Sequence, residues 1–361
     1  MSRGNDVSCI CVKLLYLVRI LIPVIPLALI FIKAYADGIV HSAPTFTTYA
    51  QDTASRSFTF LFYNAENLFD AIDDTITDDQ EFLPDGARRW TYTKYYRKLH
   101  SVAKVILSAG DTVPPALIGL CEIENIGVAG SLVSLTPLSR YDYGIVHFDS
   151  KDSRGIDICL LYNREVFTLI SSAALYPERF HGDSPAVTRP VLYAKMQIEN
   201  KPLHLLLNHW PSRRGGVMVA MEARKSLADY IIEFTDSVFR ADGRETAIVI
   251  AGDLNSTPSD EEVTSFGSAG FVNLLAAAEK RGEGTYKYRG VWQIFDHIIV
   301  STSMAEGWSD FNIEKCLIHS PAFLLIEDVV YPGLKPFPAF DGYRYAGGYS
   351  DHLPVKMVVW Y

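Results

Sequence analysis

The sequence predicts an α/β fold made of two packed β-sheets with helices on their outer faces. Three observations carry this expectation. Apolar runs of strand length recur from residue 57 to the C-terminus, several follow one another with no helix between them, and only two stretches keep helical spacing. A doubly wound single sheet would alternate strand with helix, so two packed sheets fit better. Of the 361 residues 48% are apolar, enough for a sizeable core, and neither a linker nor a short-period repeat interrupts the chain after residue 57. Residues 57–361 therefore read as one domain.

Taken in order, residues 1–36 read as a signal peptide. Arg3, Lys13 and Arg19 precede an apolar run from Ile20 to Ile32, and Ala34 and Ala36 give the small-x-small pattern of a cleavage site. The run holds two prolines and falls short of the roughly 20 residues that a spanning helix needs, so an uncleaved membrane anchor is the weaker reading. The protein is expected to be exported, to a periplasm or the extracellular space, and to meet a membrane only through this segment. Residues 37–56 are polar, rich in Ser and Thr, and unpatterned, as a flexible linker would be. Order is expected from "SFTFLFYN", where alternation puts Phe58, Phe60 and Phe62 on one strand face. "YYRKLHSVAKVIL" sets Leu99, Val102, Ala103 and Ile106 at helical spacing, to cover a sheet with one face. "ALIGLCEIE", "YGIVHFD", "IDICLLYN", "VLYAKMQI", "LHLLLNHW", "TAIVIAGDLN", "FDHIIVS" and "LPVKMVVWY" read as strands, and residues 217–239 as a long helix.

Charge and cysteine content narrow the function. Removal of residues 1–36 takes away four basic residues and Asp6, leaving 29 basic against 41 acidic side chains, a formal charge of −12. Such a chain does not hold polyanions by bulk charge, and a phosphate-bearing ligand needs a local basic patch or a metal. Cys9 and Cys11 lie in the targeting segment; Cys121, Cys159 and Cys316, an odd set in apolar runs, argue against a disulfide framework.

Polar residues gather where the strands end: Asn64 and Glu66, Glu122, Asn208 and His209, Asp253 and Asn255, Asp296, Asp351 and His352. Loops at one rim of a rigid sandwich are where catalytic groups converge. In "IVIAGDLNSTPSD" alternation sends Asp253 and Asn255 to the same side, although alone they would suit an Asx turn. Glu122 emerges from a buried strand, where an unpaired carboxylate is costly unless a cation or donor meets it. Asn64 and Glu66 are again two apart. Carboxylate and amide oxygens gathered without thiols favour Mg²⁺, with Mn²⁺ as the alternative, and His209 and His352 lack the close spacing of a helical zinc pair. Asp296 can fix the tautomer of His352 and hold its charged form, the pairing of orienter and base that hydrolases use.

Six segments, "YNAEN", "LCEIEN", "NHWPS", "GDLN", "FDHIIVS" and "SDHLP", stand in the order found in the endonuclease/exonuclease/phosphatase superfamily, and residues 57–361 resemble it throughout. That superfamily includes deoxyribonuclease I, abasic-site endonucleases, inositol-polyphosphate 5-phosphatases and neutral sphingomyelinases, and the whole block looks like its secreted bacterial members. The resemblance implies a four-layered α/β sandwich, two mainly antiparallel sheets flanked by helices, and divalent-metal phosphoester hydrolysis. It makes Glu122 the principal Mg²⁺ ligand, with Asn64 and Asp351 close to the same cluster and Glu66 a secondary ligand at best. Asp253 would position or deprotonate the attacking water, Asn255 would help orient it, and His352 paired with Asp296 would donate to the phosphoryl oxygen. His209 matches the family's His-x-x-Pro segment loosely, because Pro211 follows after one residue; its place is a phosphate contact or a leaving-group acid.

Arg154 and Arg213 lie in glycine-flanked loops from which a guanidinium can grip phosphate, and Asn208 and Trp292 complete the expected substrate contacts. Tyr286, Tyr288 and Trp292, near Lys287 and Arg289, could stack on bases or close a loop over the core. The expected activity is that of a nuclease acting as a monomer on phosphodiester bonds. The alternatives are a phosphomonoesterase or a phospholipid head-group hydrolase. A surface binding protein that had lost the chemistry would show gaps in the polar set, and none is present.

Overall fold

Phe58, Phe60 and Phe62 do point to one side of the first strand and Leu61 and Tyr63 to the other, and both sides are buried. A strand apolar on both faces belongs inside a layered structure. The computed structural model, which describes residues 56–177, 189–212 and 216–361, places it there.

One six-stranded sheet runs in the order β13 (Asn312–Ile318), β18 (Val355–Trp360), β1 (Ser57–Leu68), β2 (Leu117–Ile123), β4 (Asp157–Asn163) and β3 (Tyr143–His147). The other runs β5 (Thr168–Leu175), β6 (Val191–Ile198), β7 (Lys201–His209), β8 (Ala247–Asp253), β12 (Asp296–Ser301) and β9 (Phe271–Asn273). Each sheet has one parallel pair at its centre, β1 with β2 and β7 with β8, and is otherwise antiparallel. Three small hairpins decorate the rims: β10 (Tyr286–Tyr288) with β11 (Val291–Gln293), β14 (Leu325–Glu327) with β15 (Leu334–Pro336), and β16 (Phe340–Asp341) with β17 (Arg344–Tyr345).

Alternation divides the core into three layers. Phe60, Leu205, Val249, Ile298 and Met357 fill the space between the sheets. Leu61, Ile118 and Leu120 face outward under helices α1 (Tyr92–Ala109) and α2 (Ile126–Ser134), where Leu99, Val102, Ala103 and Ile106 meet them. Leu206, Ile248 and Ile250 face α3 (Val217–Asp242) and α4 (Glu261–Ser268). The order is helix, sheet, sheet, helix, the expected four-layered α/β sandwich. Among the described residues Cys121, Cys159 and Cys316 are free thiols, and no helix is long and apolar enough to cross a membrane. The expected signal peptide and most of the linker lie outside the described residues.

The topology fixes where function can sit. The C-terminal ends of the parallel strands β1, β2, β7 and β8 share one rim with the starts of their antiparallel partners β4, β12 and β18. At that rim β7 and β8 come close: His209 is in register with Asp253 and Asn208 with Gly252, and a Cβ on Gly252 would lie 2.3 Å from the Asn208 carbonyl oxygen. Gly252→Ala is therefore expected to destabilise the fold by about 1–3 kcal/mol, read as a lower midpoint in denaturant unfolding; an unchanged midpoint would contradict the close approach.

Candidate active site

Four polar side chains reach the rim by simple continuation. Asn64 follows Phe60 and Phe62, His209 follows Leu205 and Leu207, Asp253 follows Val249 and Ala251, and Asp296 precedes Ile298. Residues two apart share a strand face, so all four project into the slot between the sheets at its open end. Glu122 does not follow this rule. Strict alternation would put it with Ile118 and Leu120 under the helices, but β2 is bulged between Cys121 and Ile123 and Glu122 has φ +60°. A bulge re-aims a side chain, and left-handed backbone at a non-glycine residue costs on the order of 1 kcal/mol and persists where its surroundings fix it. Here Asn67, also left-handed at φ +51°, donates its N–H to Glu122 Oε2 at 2.8 Å.

Asn64 links the two central acids: its Nδ2 donates to Asp253 Oδ2 at 3.0 Å and lies 3.4 Å from Glu122 Oε1. Asp253 Oδ1 accepts the N–H of Asn255 at 3.0 Å, and Asn255 Nδ2 donates to the Trp210 carbonyl at 3.0 Å. His209 Nε2 stands 3.8 Å from Glu122 Oε1 and 3.7 Å from Asp253 Oδ2, and its Nδ1 is buried with no hydrogen-bond partner. His352 Nδ1 is 2.7 Å from Asp296 Oδ2, and its Nε2 is 3.8 Å from Asp253 Oδ2. Its ring packs on Tyr286 at 4.9 Å between centroids, and its N–H reaches Ser350 Oγ, which in turn donates to the Asn64 carbonyl.

Burial sets the electrostatics of the cluster. It pushes Asp253 up to about 7, with His352 pulling back and Asp296 adding to the rise. Asp351 is also raised, first by burial and then by Glu122, against the pull of His352 and Lys98. His352 behaves oppositely: burial would lower it, but Asp296 and Asp253 outweigh that and hold it well above the usual imidazole range, so it carries a proton at neutral pH. His209 is driven well below that range by burial and by Arg189, Arg154 and His352, and is neutral. Glu122, Asp253 and Asp351 open on one cavity of about 540 Å³ together with hard amide oxygens, a donor set that fits a divalent cation bound through oxygen. Asp253, Asp296 and His352 also bring one ligand atom each within 4.8 Å of one another.

Of the remaining expected site residues, Arg154 lines the cavity, braced by Asp152 Oδ1 at 3.2 Å from its Nε. Glu66 is turned inward: Oε2 accepts from Ala339 N–H at 2.6 Å and Oε1 from Phe340 N–H at 3.3 Å, with Lys98 3.9 Å away. Its oxygens are occupied in bracing that segment, and it does not line the cavity. Asn208 points the other way from His209, onto the helix side with Leu206, where it is fully buried and bonded to the Leu206 and Ala251 carbonyls and to Trp210 Nε1. It braces the end of β7 and does not line the cavity. Trp292 pairs across its hairpin with Lys287 and packs on the helix-side core, whereas Tyr286 and Tyr288, on the opposite face of that hairpin, line the cavity. Arg213 and Arg214 lie outside the described residues.

Arg189 was not legible from its surroundings in sequence. Its side chain ion-pairs with Asp152 and donates to the carbonyls of His209 and Trp210 at 3.0 and 3.1 Å, fixing the end of β7. No periodicity in the sequence marks it.

A family model described as endonuclease/exonuclease/phosphatase family matches residues 59–360. Among solved structures, an endonuclease/exonuclease/phosphatase family protein from Bacteroides thetaiotaomicron is similar with a TM-score of 0.55 and 16% identity, over 85% of this chain and 95% of that one. The mannosyl-6-phosphatase of the same species has the same score and identity over 84% and 100%. Truncated TDP2 from Caenorhabditis elegans has a TM-score of 0.55 and 14% identity over 84% and 98%. No curated protein matches the chain.

Proposed function

The chain belongs to the endonuclease/exonuclease/phosphatase family, and from that premise we propose that it hydrolyses phosphoesters with a divalent cation, Mg²⁺ in the first instance, by in-line attack of water. The observation that carries this reading is the convergence of Glu122, Asp253, Asp351 and His352 on one cavity, with Asn64 bonded to Asp253 and Asp296 to His352 behind them. Bound by Glu122 with Asp351 and Asn64 beside it, the cation supplies a Lewis acid for a phosphoryl oxygen. Asp253, clamped by Asn64 and the Asn255 N–H, is oriented to take a proton from the attacking water. His352, held by Asp296 in a form with N–H on both nitrogens, donates from Nε2 toward oxygen on which charge grows. Neutral His209, beside Asp253 and Glu122, and the Arg154 guanidinium supply further contacts to phosphate.

For the substrate we propose a nucleic acid phosphodiester entering as a strand end or single strand. Tyr286 and Tyr288 offer faces for a base beside Arg154. A second reading, a phosphomonoester, is favoured by the cavity lining, where Arg154 is the sole Lys or Arg among the described residues. The purified protein is to be assayed on plasmid DNA, RNA, sugar and inositol phosphates and sphingomyelin, with Mg²⁺ and with EDTA. Hydrolysis is expected to be lost in EDTA and restored by Mg²⁺. Turnover that persists in EDTA would sink the metal mechanism, and turnover confined to monoesters would decide for the second reading.

A further inference from the structure

We infer a second divalent-cation site, outside the catalytic cluster, formed by His147, Asp149 and Asp157. His147 ends β3, Asp157 begins β4, and Asp149 lies on the loop that joins them. A ring nitrogen of His147 and one carboxylate oxygen from each aspartate lie within 4.8 Å of one another. The central contact is close but misaligned. His147 Nε2 is 3.1 Å from Asp157 Oδ2, both side chains are almost wholly buried, and yet Nε2 has no hydrogen-bond partner. An N–H there is misaligned, and a lone pair there faces an anionic oxygen. A cation resolves both: nitrogen and oxygen ligands each about 2.0–2.2 Å from one ion stand about 2.9–3.4 Å apart.

The surroundings are those of a ligand set. Asp157 Oδ1 accepts the Ser150 N–H at 3.0 Å, which fixes the carboxylate and leaves Oδ2 directed at the ring. Asp149, whose side chain is 89% exposed, stands nearer the other ring nitrogen, 3.8 Å from Nδ1, and its carboxylate has to turn from there toward Asp157 to become a third ligand of an ion held at Nε2. One imidazole with two carboxylates selects a borderline ion such as Zn²⁺ or Mn²⁺ over Ca²⁺. The same loop carries Asp152, which braces Arg154 at the catalytic cavity and ion-pairs with Arg189. An ion at its base would stiffen the segment that aims Arg154.

The test is Zn²⁺ stoichiometry on the full protein by equilibrium dialysis, in parallel with His147→Asn and Glu122→Gln. The parent is expected to bind one equivalent more than His147→Asn, and Glu122→Gln is expected to lose a different equivalent, so that failure here is separable from failure of the catalytic metal reading. Should His147→Asn not fold, Asp149→Asn, on the surface, is expected to weaken Zn²⁺ binding at this site at least tenfold. Equal stoichiometry in parent and His147→Asn, or an unchanged affinity in Asp149→Asn, would overturn the site and leave His147 a metal-free contact of Asp157.

Discussion

Asparagine in place of His352 is expected to lower kcat by about 10³-fold while leaving the fold stable. The choice of side chain matters. An Asn amide can keep the donor that Nδ1 presents to Asp296 at 2.7 Å, but has nothing at the position of Nε2, the atom facing Asp253 and the cavity. Alanine would remove both. Asp296 is fully buried and its Oδ1 already has no hydrogen-bond partner, so His352→Ala strands a buried charge and is expected to cost about 3–5 kcal/mol in addition to activity. The alanine variant therefore cannot separate chemistry from folding, and the asparagine variant can. In the parent, His352 is held protonated above the usual range by Asp296 and Asp253, so kcat should fall on the alkaline side as that proton is lost. His352→Asn should lack this limb. A variant that keeps kcat within a few-fold, or keeps the alkaline limb, would remove His352 from the mechanism.

Asp253→Asn is expected to reduce kcat by about 10³–10⁴-fold with little change in KM. The backbone N–H of Asn255 cannot rotate away from Oδ1, so the new amide must set its oxygen there and its NH₂ toward Asn64 Nδ2 and the two histidines. A proton acceptor becomes a donor facing a donor, and the group can no longer take a proton from water. Burial already pushes Asp253 up to about 7, so the parent's acceptor form fills in as pH rises toward neutrality and the variant should lose the acid limb of its profile. Full turnover in Asp253→Asn, measured alongside an unchanged unfolding midpoint, would assign the base elsewhere.

The interior strands were legible because they are buried on both faces and so read as continuous apolar runs; Leu117–Ile123 and Ala247–Asp253 are of this kind. The edge strands other than Tyr143–His147 were not. Thr168–Leu175 and Asn312–Ile318 carry exposed residues such as Ser171, Ser172 and Glu314, and their pairing is decided by a neighbour distant in sequence. Helix Ile126–Ser134 holds two glycines and no charge, so no stripe announced it. At the site, Asn64, Asp253 and Asp296 were readable as polar ends of apolar strands. Left-handed backbone at the end of β1 turns Glu66 inward, which two-residue spacing cannot foretell. Asn208 lies off the cavity for the converse reason, since the same alternation that turns His209 to the slot sends its neighbour to the helices.

The slot between the sheets is hydrocarbon along its depth and ionic only at its mouth. Durability and chemistry are thus laid out at different heights along the same strands, and a chain of this design can exchange the hairpin bearing Tyr286 and Tyr288, and with it the molecules admitted, without disturbing the phenylalanines below. Selectivity can drift here while the reaction stays put.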